Sequence, residues 1–282
     1  MVEAEGYEIV DNQKIVSIVI PTLNEEKGVA RVINEIPKEG LEKMGYKHEI
    51  LIVDGGSTDQ TREIASKNGA KVVIEPQRGY GKAYKTGFAH AHGNIIVTLD
   101  GDSSYPAFLI PKLIKSLDEQ NLDFISTNRM RNFAPGSFSA LHIVGNKMLT
   151  HFAKLLFGIN LSDSQSGMWV FRKNILEKAN LSADGMAFSE EIKVFAFKHL
   201  KSGEISIPYR KRMGRQKLRT VIDGVENLTY LFTLRFSLSG FGPSQLSRLD
   251  FVRNTRSLLF SAKDSYRTFL FSQLLARNKT LF

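Results

Sequence analysis

Short aliphatic runs recur along this chain, and each stops on a cluster of acidic, Gly or Pro residues. Ile15-Val-Ser-Ile-Val-Ile20 runs into Pro21-Thr-Leu-Asn-Glu-Glu26, Glu49-Ile-Leu-Ile-Val53 into Asp54-Gly-Gly-Ser-Thr-Asp59, and Asn94-Ile-Ile-Val-Thr-Leu99 into Asp100-Gly-Asp102. Runs this short and this apolar suit strands covered on both faces. The pattern predicts strands near residues 15–20, 49–53, 71–74, 94–99, 123–127, 168–172 and 204–208. Helical stretches are expected between them, near 25–36, 59–67, 80–91, 106–119, 139–157 and 188–201. Ser57 is placed to cap the helix that Thr58–Lys67 suggests, and Pro106 to start another. Met130–Gly136 reads as a loop at the mouth of a site. Alternating strands and helices predict an α/β fold, an open and mostly parallel sheet that binds its ligand at the carboxyl ends of the strands.

Asp100-Gly101-Asp102 carries the most chemistry. Two carboxylates at the end of a buried strand, with Gly between them to let a ligand approach, suit a hard divalent cation clamped on a diphosphate. Alone, Asp-Gly-Asp is also an ordinary turn. Its neighbours alter that balance, because Asp54 ends a second strand and Gly79-Tyr-Gly-Lys-Ala-Tyr84 precedes the third.

Together, Pro21-Thr-Leu-Asn-Glu25, Val53-Asp-Gly-Gly-Ser57, Gly79-Tyr-Gly81 and Asp100-Gly-Asp102 resemble the family 2 inverting glycosyltransferases of the GT-A fold. Asp163-Ser-Gln-Ser-Gly-Met168 and Arg212-Met-Gly-Arg-Gln-Lys-Leu218 look like the branch that glycosylates dolichyl or polyprenyl phosphate, to which the dolichyl-phosphate mannose synthases belong. The motifs span roughly residues 15–220 in the family's order.

The resemblance implies a role for each motif. Pro21, Leu23, Glu25 and Asp54 would contact the donor's base and ribose. Many relatives have a second Asp at the position of Gly55, so uracil and guanine both stay open. Asp102 would ligate Mg²⁺ or Mn²⁺ on the donor's diphosphate, beside Gly101. Asp100 would hold the ribose or ligate through water, and Ser104 is a third candidate ligand. Lys82, next to Gly81, could reach the phosphates. A lipid monophosphate has a second pKa near about 6 and is already an anionic nucleophile at neutral pH. It needs cations to position it, and Arg129, Arg131, Arg212 and Lys217 are the candidates, with Arg suited to a two-point grip. Arg212 to Lys217 matches the family's Arg-x-Gly-x-Ser-Lys, with Gln216 in place of Ser. Asp163 would orient the acceptor phosphate or a sugar hydroxyl, or simply cap its loop. Met168 and Trp169 stand where Phe and Arg are common, and Arg172 lies nearby. Asp102, Asp100 and Arg212 are the residues expected to carry catalysis. Glu190 and Glu191 lie where hydroxyl-directed relatives keep a catalytic acid pair, although acids at a helix start are also favoured by its dipole. The histidines at 90, 92, 142, 151 and 199 have no metal-ligand spacing and read as structural or surface residues.

Composition adds a membrane partner. From Arg210 to Phe282 there are 14 Lys and Arg against 4 Asp and Glu, a net of +10, so the whole excess of +9 in 282 residues sits in the last quarter. That quarter also holds 8 Phe. Basic residues interleaved with aromatics in helical stretches suit an anionic membrane surface; a helical subdomain with a solvated basic face is the plainer alternative. No nucleic-acid-binding signature accompanies the charge. The absence of Cys excludes disulfides and thiolate metal sites. Residues 1–14 read as a polar tail, 15–220 as the GT-A domain and 221–282 as a basic, amphipathic helical appendage. No run approaches the roughly 20 apolar residues that span a bilayer, which points to a peripheral protein of the cytoplasmic face.

The expected reaction is therefore metal-dependent transfer of a hexose, with inversion, from a nucleotide-diphosphate sugar to dolichyl or polyprenyl phosphate. A sugar-hydroxyl acceptor would instead need Glu190, Glu191 or Asp163 as a base. A sugar-1-phosphate nucleotidyltransferase would open with a Gly-rich, Arg-containing loop where Pro21–Glu25 stands, and a purely membrane-binding module would not need Asp100 and Asp102.

Overall fold

The computed structural model describes residues 14–214 and 220–237. Their seven strands form one sheet: β1 (Ile15–Thr22), β2 (Lys47–Asp54), β3 (Lys71–Ile74), β4 (Ile95–Thr98), β5 (Phe124–Phe133), β6 (Trp169–Arg172) and β7 (Ser202–Tyr209). The order is β3-β2-β1-β4-β6-β5-β7, parallel throughout except for β6, which runs against both β4 and β5. All seven strands stand where the aliphatic runs predict them, in the expected open, mostly parallel α/β sheet.

Helices cover both faces: α1 (Val29–Glu35), α2 (Lys38–Lys43), α3 (Thr61–Lys67), α4 (Tyr80–His90), α5 (Ile110–Glu119), α6 (Ala140–Phe157), α7 (Phe188–His199) and α8 (Thr220–Ser237). Alternate residues of the central strands feed two cores. Val16, Ile18 and Ile20 of β1 join Val32, Ile33, Leu113 and Ile114 on one face. Val19 of β1 and Leu51 and Val53 of β2 join Tyr84, Phe88 and Phe188 on the other. Burial on both sides is why these runs show no alternation of polar and apolar residues. A third cluster, with Leu149 and Ala153 of α6, Val194 of α7 and Leu231 of α8, closes those three helices over one end of the sheet.

Three local expectations are corrected. Met130–Phe133 is strand rather than loop: β5 shifts register between Asn128 and Asn132 and then pairs with Pro208 and Tyr209 of β7. The long-range partner holds a polar stretch extended that no local pattern would. Ser57 does not cap α3, which begins at Thr61; its hydroxyl accepts from the Asn24 backbone N–H at 2.8 Å instead. Helix α2 has one buried residue, Leu41, too few to leave a periodic signal. α8 lies at the start of the proposed appendage, while the basic and aromatic stretch beyond Ser237 and the tail before Lys14 lie outside the described residues. Among the described residues no helix is long and apolar enough to cross a membrane.

Helix α4 lies close on the sheet because Gly87 has no side chain. A Cβ there would stand 2.4 Å from Val19 Cγ1 and 2.9 Å from Val53 Cγ2. A Gly to Ala change within a helix ordinarily gains up to about 1 kcal/mol. Gly87→Ala should reverse that sign and cost about 1–3 kcal/mol through overpacking. Gly145→Ala in α6, where a Cβ meets nothing within 4 Å, should be neutral or stabilising. Urea unfolding with an unchanged m-value checks both.

Candidate active site

The carboxyl ends of β1, β2 and β4 make one continuous edge. Thr22 at the end of β1 is in register with Asp54 at the end of β2. A Cβ on Gly101, just past β4, would stand 2.8 Å from Thr22 Cγ2, so only Gly lets the Asp100–Asp102 turn come this close. Gly28 is as tightly placed from the other side: a Cβ there would stand 2.6 Å from the Gly101 carbonyl oxygen.

At one end of this edge Asp54 is fully buried. Its Oδ1 accepts from the backbone N–H groups of Gly56 (3.2 Å) and Ser57 (2.9 Å), folding the turn after β2. Its Oδ2 is buried without a hydrogen-bond partner. An acceptor left in this condition is costly unless a ligand completes it. The turn after β1 is stitched to it: Asn24, at a left-handed φ of 52°, accepts from the Thr58 N–H at 2.8 Å, and the Glu25 N–H donates to Thr61 Oγ1 at 2.7 Å. Pro21 and Leu23 are half-buried along the same edge.

At the other end, Asp100, Asp102 and Glu25 form a cluster of carboxylates. Asp102 Oδ1 accepts from Ser104 N (3.0 Å) and Ser104 Oγ (2.6 Å). Its Oδ2 is 2.9 Å from Arg212 Nη2, which also lies 3.7 Å from Glu25 Oε1. Burial and then the Asp102 carboxylate push the Asp100 carboxyl up to about 7, against the pull of Arg129 and Arg212. Such crowding of negative charge suits a cation. Among the described residues no group of three or more His, Cys, Asp or Glu side chains could hold a metal ion. A cation at Asp100, Asp102 and Ser104 would thus need further ligands, such as diphosphate oxygens and water.

The loop Asp163–Gly167 reaches the same place. A Cβ on Gly167 would be 2.7 Å from the Tyr80 hydroxyl and 3.2 Å from Asp100 Oδ1, and the Gly167 N–H donates to the Tyr105 hydroxyl at 2.6 Å. Asp163 itself is fully buried and saturated. Arg129 grips it through Nε (2.7 Å), Nη2 (2.8 Å) and its backbone N–H (3.0 Å), and Asn146 of α6 adds a fourth donor at 2.7 Å. The Arg129 guanidinium lies over the rings of Phe138 and Tyr209, at 5.4 and 5.3 Å. Burial alone would raise the Asp163 carboxyl, but Arg129, Lys193 and Asn146 hold it down at about 2.

Beside the carboxylate cluster opens a cavity of about 160 Å³ whose lining includes Arg129, Phe138, His142, Asn146, Arg212 and Asn227. His142 thus lines the cavity, and burial together with Arg129 and Arg212 lowers its pKa. Glu190, buried at the start of α7, accepts from Gln165 Nε2 at 2.5 Å, and its Oε2 is buried without a hydrogen-bond partner. Burial raises it to about 8. Glu191 is instead saturated by Ser182, Ala183 and Tyr230.

Several expected residues are not gathered here. Lys82 lies near Glu75 and Asp184, whose carboxyls its charge helps to lower. Arg131 is exposed on the far stretch of β5. Arg172 points to the opposite edge of the sheet, where it bonds Asp118 and the Leu122 carbonyl, so it does not replace the Arg absent at Trp169. Lys217 lies outside the described residues. Conversely, the chain's pattern gave no sign of Lys193, fully buried over Trp169 and donating to the Ser164 carbonyl, nor of Gln165 joining Glu190 to Asn227 of α8.

An open sheet with acidic turns at its carboxyl edge and a cation-lined cavity beside them defines the class of a GT-A-like fold. Residues 17–179 match the family model Glycosyl transferase family 2. The chain belongs to this family. It is 37% identical over 244 residues to the low-salt glycan biosynthesis hexosyltransferase Agl6 of Haloferax volcanii, a match covering 84% of this chain and 58% of the relative. It is 29% identical over 204 residues to a dolichyl-phosphate hexose transferase of the same organism, covering 72% of this chain and 86% of the relative. The chain spans little more than half the length of Agl6 and of the glycosyltransferase AglJ. In structure it is similar to glucosyl-3-phosphoglycerate synthase of Mycobacterium tuberculosis, solved with Mn²⁺, uridine diphosphate and glucosyl-3-phosphoglycerate. The TM-score is 0.62 at 20% identity, over 83% of this chain and 86% of that one.

The buried ion pair yields a prediction. Asp163→Asn strands the Arg129 charge and should cost about 3–5 kcal/mol in urea unfolding. Because the folded Asp163 stands at about 2 and an unfolded Asp near about 3.9, its contribution is full above about pH 4 and is lost as pH falls through about 2. Stability of the wild type should fall more steeply across that window than stability of the variant.

Proposed function

We propose that this protein transfers a hexose from a nucleotide-diphosphate sugar to dolichyl or polyprenyl phosphate, with inversion and with Mg²⁺ or Mn²⁺ on the donor's diphosphate. The observation that carries this reading is the position of Arg212, between the Asp102 carboxylate and a cavity that Arg129 also lines. Donor and acceptor anions would thus meet at one guanidinium. The unpartnered Asp54 Oδ2 supports a donor base at the far end of the edge, accepting from a ring N–H. The relative named a dolichyl-phosphate hexose transferase supports the acceptor, and the structural neighbour solved with Mn²⁺ and uridine diphosphate supports the donor and cation.

In this reading Asp54, Glu25, Pro21 and Leu23 hold the nucleoside, and Asp100, Asp102 and Ser104 hold the cation. The cation's chemistry is to offset charge on the departing nucleoside diphosphate. Arg212 positions the lipid phosphate. One of its oxygens forms the new bond to the sugar's anomeric carbon on the face opposite the leaving diphosphate, whose oxygen takes the bonding pair as the old bond breaks. The phosphate oxygen is already anionic, so no proton has to be removed. Arg129 serves chiefly by its field, because its Nε and Nη2 donors are committed to Asp163.

A sugar-hydroxyl acceptor is the second reading, favoured by the unpartnered Oε2 of Glu190. A carboxyl raised to about 8 is mostly protonated at neutral pH and makes a poor base there. With Glu191 and Asp163 both saturated, the phosphate acceptor is the better match. An anionic membrane surface on the cytoplasmic side would present such a lipid. Helix α6 supports this surface: Leu141, Val144, Met148 and Leu155 are exposed along one side of it, and Lys147 and Lys154 are exposed too.

The test offers labelled UDP-GlcNAc, UDP-Glc and GDP-Man separately to dolichyl phosphate in detergent with Mn²⁺. A chloroform-soluble, mild-acid-labile product with one donor is expected. Release of nucleotide diphosphate only with a sugar acceptor would shift the function to the hydroxyl reading. Asp102→Ala should lower kcat by at least about 100-fold. Arg212→Ala should raise KM for the lipid phosphate by roughly 10- to 100-fold, and KM for the donor much less. Equal effects on both substrates would remove Arg212 from the acceptor.

A further inference from the structure

We infer that Arg212 and the divalent cation compete for the same oxygen of Asp102, so that cation binding delivers Arg212 to the acceptor phosphate. The inference rests on the proposed function for its second half; the competition itself concerns only this chain and a cation.

Both oxygens of Asp102 are engaged. Oδ1 takes two donors from Ser104, at 3.0 and 2.6 Å, and both come from a buried residue two positions away that fixes the turn. Oδ2 faces Arg212 at 2.9 Å. A cation that binds Asp102 at Oδ2 must displace the guanidinium, because two positive groups cannot crowd one carboxylate oxygen without strong repulsion.

The segment that carries Arg212 is built for this exchange. Its backbone is pinned on both sides, by the Arg210 N–H on the Ser104 carbonyl (3.0 Å) and the Met213 N–H on the Asp102 carbonyl (2.8 Å). Arg210 is held further by a two-point grip on Glu35, at 2.8 and 2.6 Å, and by the Tyr105 carbonyl at 2.7 Å. Gly214 follows at a left-handed φ of 89°. The Arg212 side chain is nevertheless 29% exposed and lines the cavity. The guanidinium therefore has a fixed pivot and two destinations, the carboxylate cluster and the cavity.

An acceptor anion that draws Arg212 away on its own leaves a nearly buried carboxylate without its counter-charge, which is costly. A cation that has already replaced the guanidinium removes that cost. Cation and anion should then strengthen each other's binding, and linkage makes the effect reciprocal. Donor with its cation would bind before acceptor.

Mn²⁺ binding to the full chain, followed by electron paramagnetic resonance, tests the competition without turnover. Arg212→Ala should bind Mn²⁺ more tightly than the wild type, by a factor within the roughly 5- to 150-fold usual for such couplings. Arg212→Lys, which keeps the charge, should stay near the wild type. In an Asp102→Asn background the Ala substitution should have no effect on Mn²⁺. Unchanged or weaker Mn²⁺ binding by Arg212→Ala, with near-ultraviolet circular dichroism intact, overturns the inference. Calorimetry with farnesyl phosphate tests the delivery: Mn²⁺ with uridine diphosphate should tighten its binding to the wild type and leave Arg212→Ala indifferent. If Mn²⁺ behaves as expected but farnesyl phosphate binds in neither condition, the competition stands and both the delivery and the lipid-phosphate reading are overturned.

Discussion

The Arg129–Asp163 pair holds together the half of the molecule that faces the site. Arg129 comes from β5 and Asp163 from the loop before β6. Asn146 of α6 donates to the same carboxylate, and the guanidinium lies against the stacked rings of Phe138 and Tyr209. Glu204 of β7 accepts from the backbone N–H groups of Ser162 and Asp163 at 2.9 Å, fixing the loop from outside. Two buried charges are tolerated when they are paired and hydrogen-bonded, and Asp163 takes donors from Arg129 on both of its oxygens. Its geometry also sets the path of the loop as far as Gly167, and hence the wall against which Asp100 rests.

Around that pair the site is graded in charge. Asp54, Glu25, Asp100 and Asp102 run along the edge of the sheet, and Arg129 and Arg212 face them from the cavity. The carboxylates cannot all be ionised at low cost, as the raised Asp100 carboxyl records. Arg212 partly relieves the crowding from a chain segment that belongs to neither neighbouring turn. On the proposed reading, the same imbalance that strains the protein alone is what a diphosphate-bound cation completes.

The seven strands were legible because a strand buried on both faces needs nearly continuous aliphatic residues, and turns at the carboxyl edge need Gly, Asp and Pro. Asp100, Asp102 and Asp54 could be found on the same grounds. Met130–Phe133 was misread because its polar residues are held extended by β7, some 75 residues away in the chain. Asp163 stood out as a motif residue, but nothing local showed that Arg129 would commit its Nε and Nη2 donors to it. Lys193, Gln165 and Asn227 left no signal, since a buried Lys or a bridging amide is defined wholly by what folds against it. Ser57 followed a sound local rule for helix starts and was overridden by a longer-range bond to Asn24.

The reversed strand β6 explains how so much chemistry reaches one edge. In a fully parallel sheet every loop entering a strand lies at the amino edge, remote from Asp100. Because β6 runs against β4 and β5, its entering loop, Asp163–Gly167, arrives at their carboxyl ends. Thr98 secures the junction by donating its hydroxyl to the Gly167 carbonyl and accepting from the Trp169 N–H, both at 2.8 Å. The antiparallel register thereby sets Gly167 against the Asp100 carboxylate and Asp163 against Arg129 in one step. It also carries Ser164 over Lys193 and Gln165 toward α8, tying the helical roof of the cavity to the same loop. Had β6 run parallel, the acidic edge would survive, but the cationic cavity would have no reason to stand beside it.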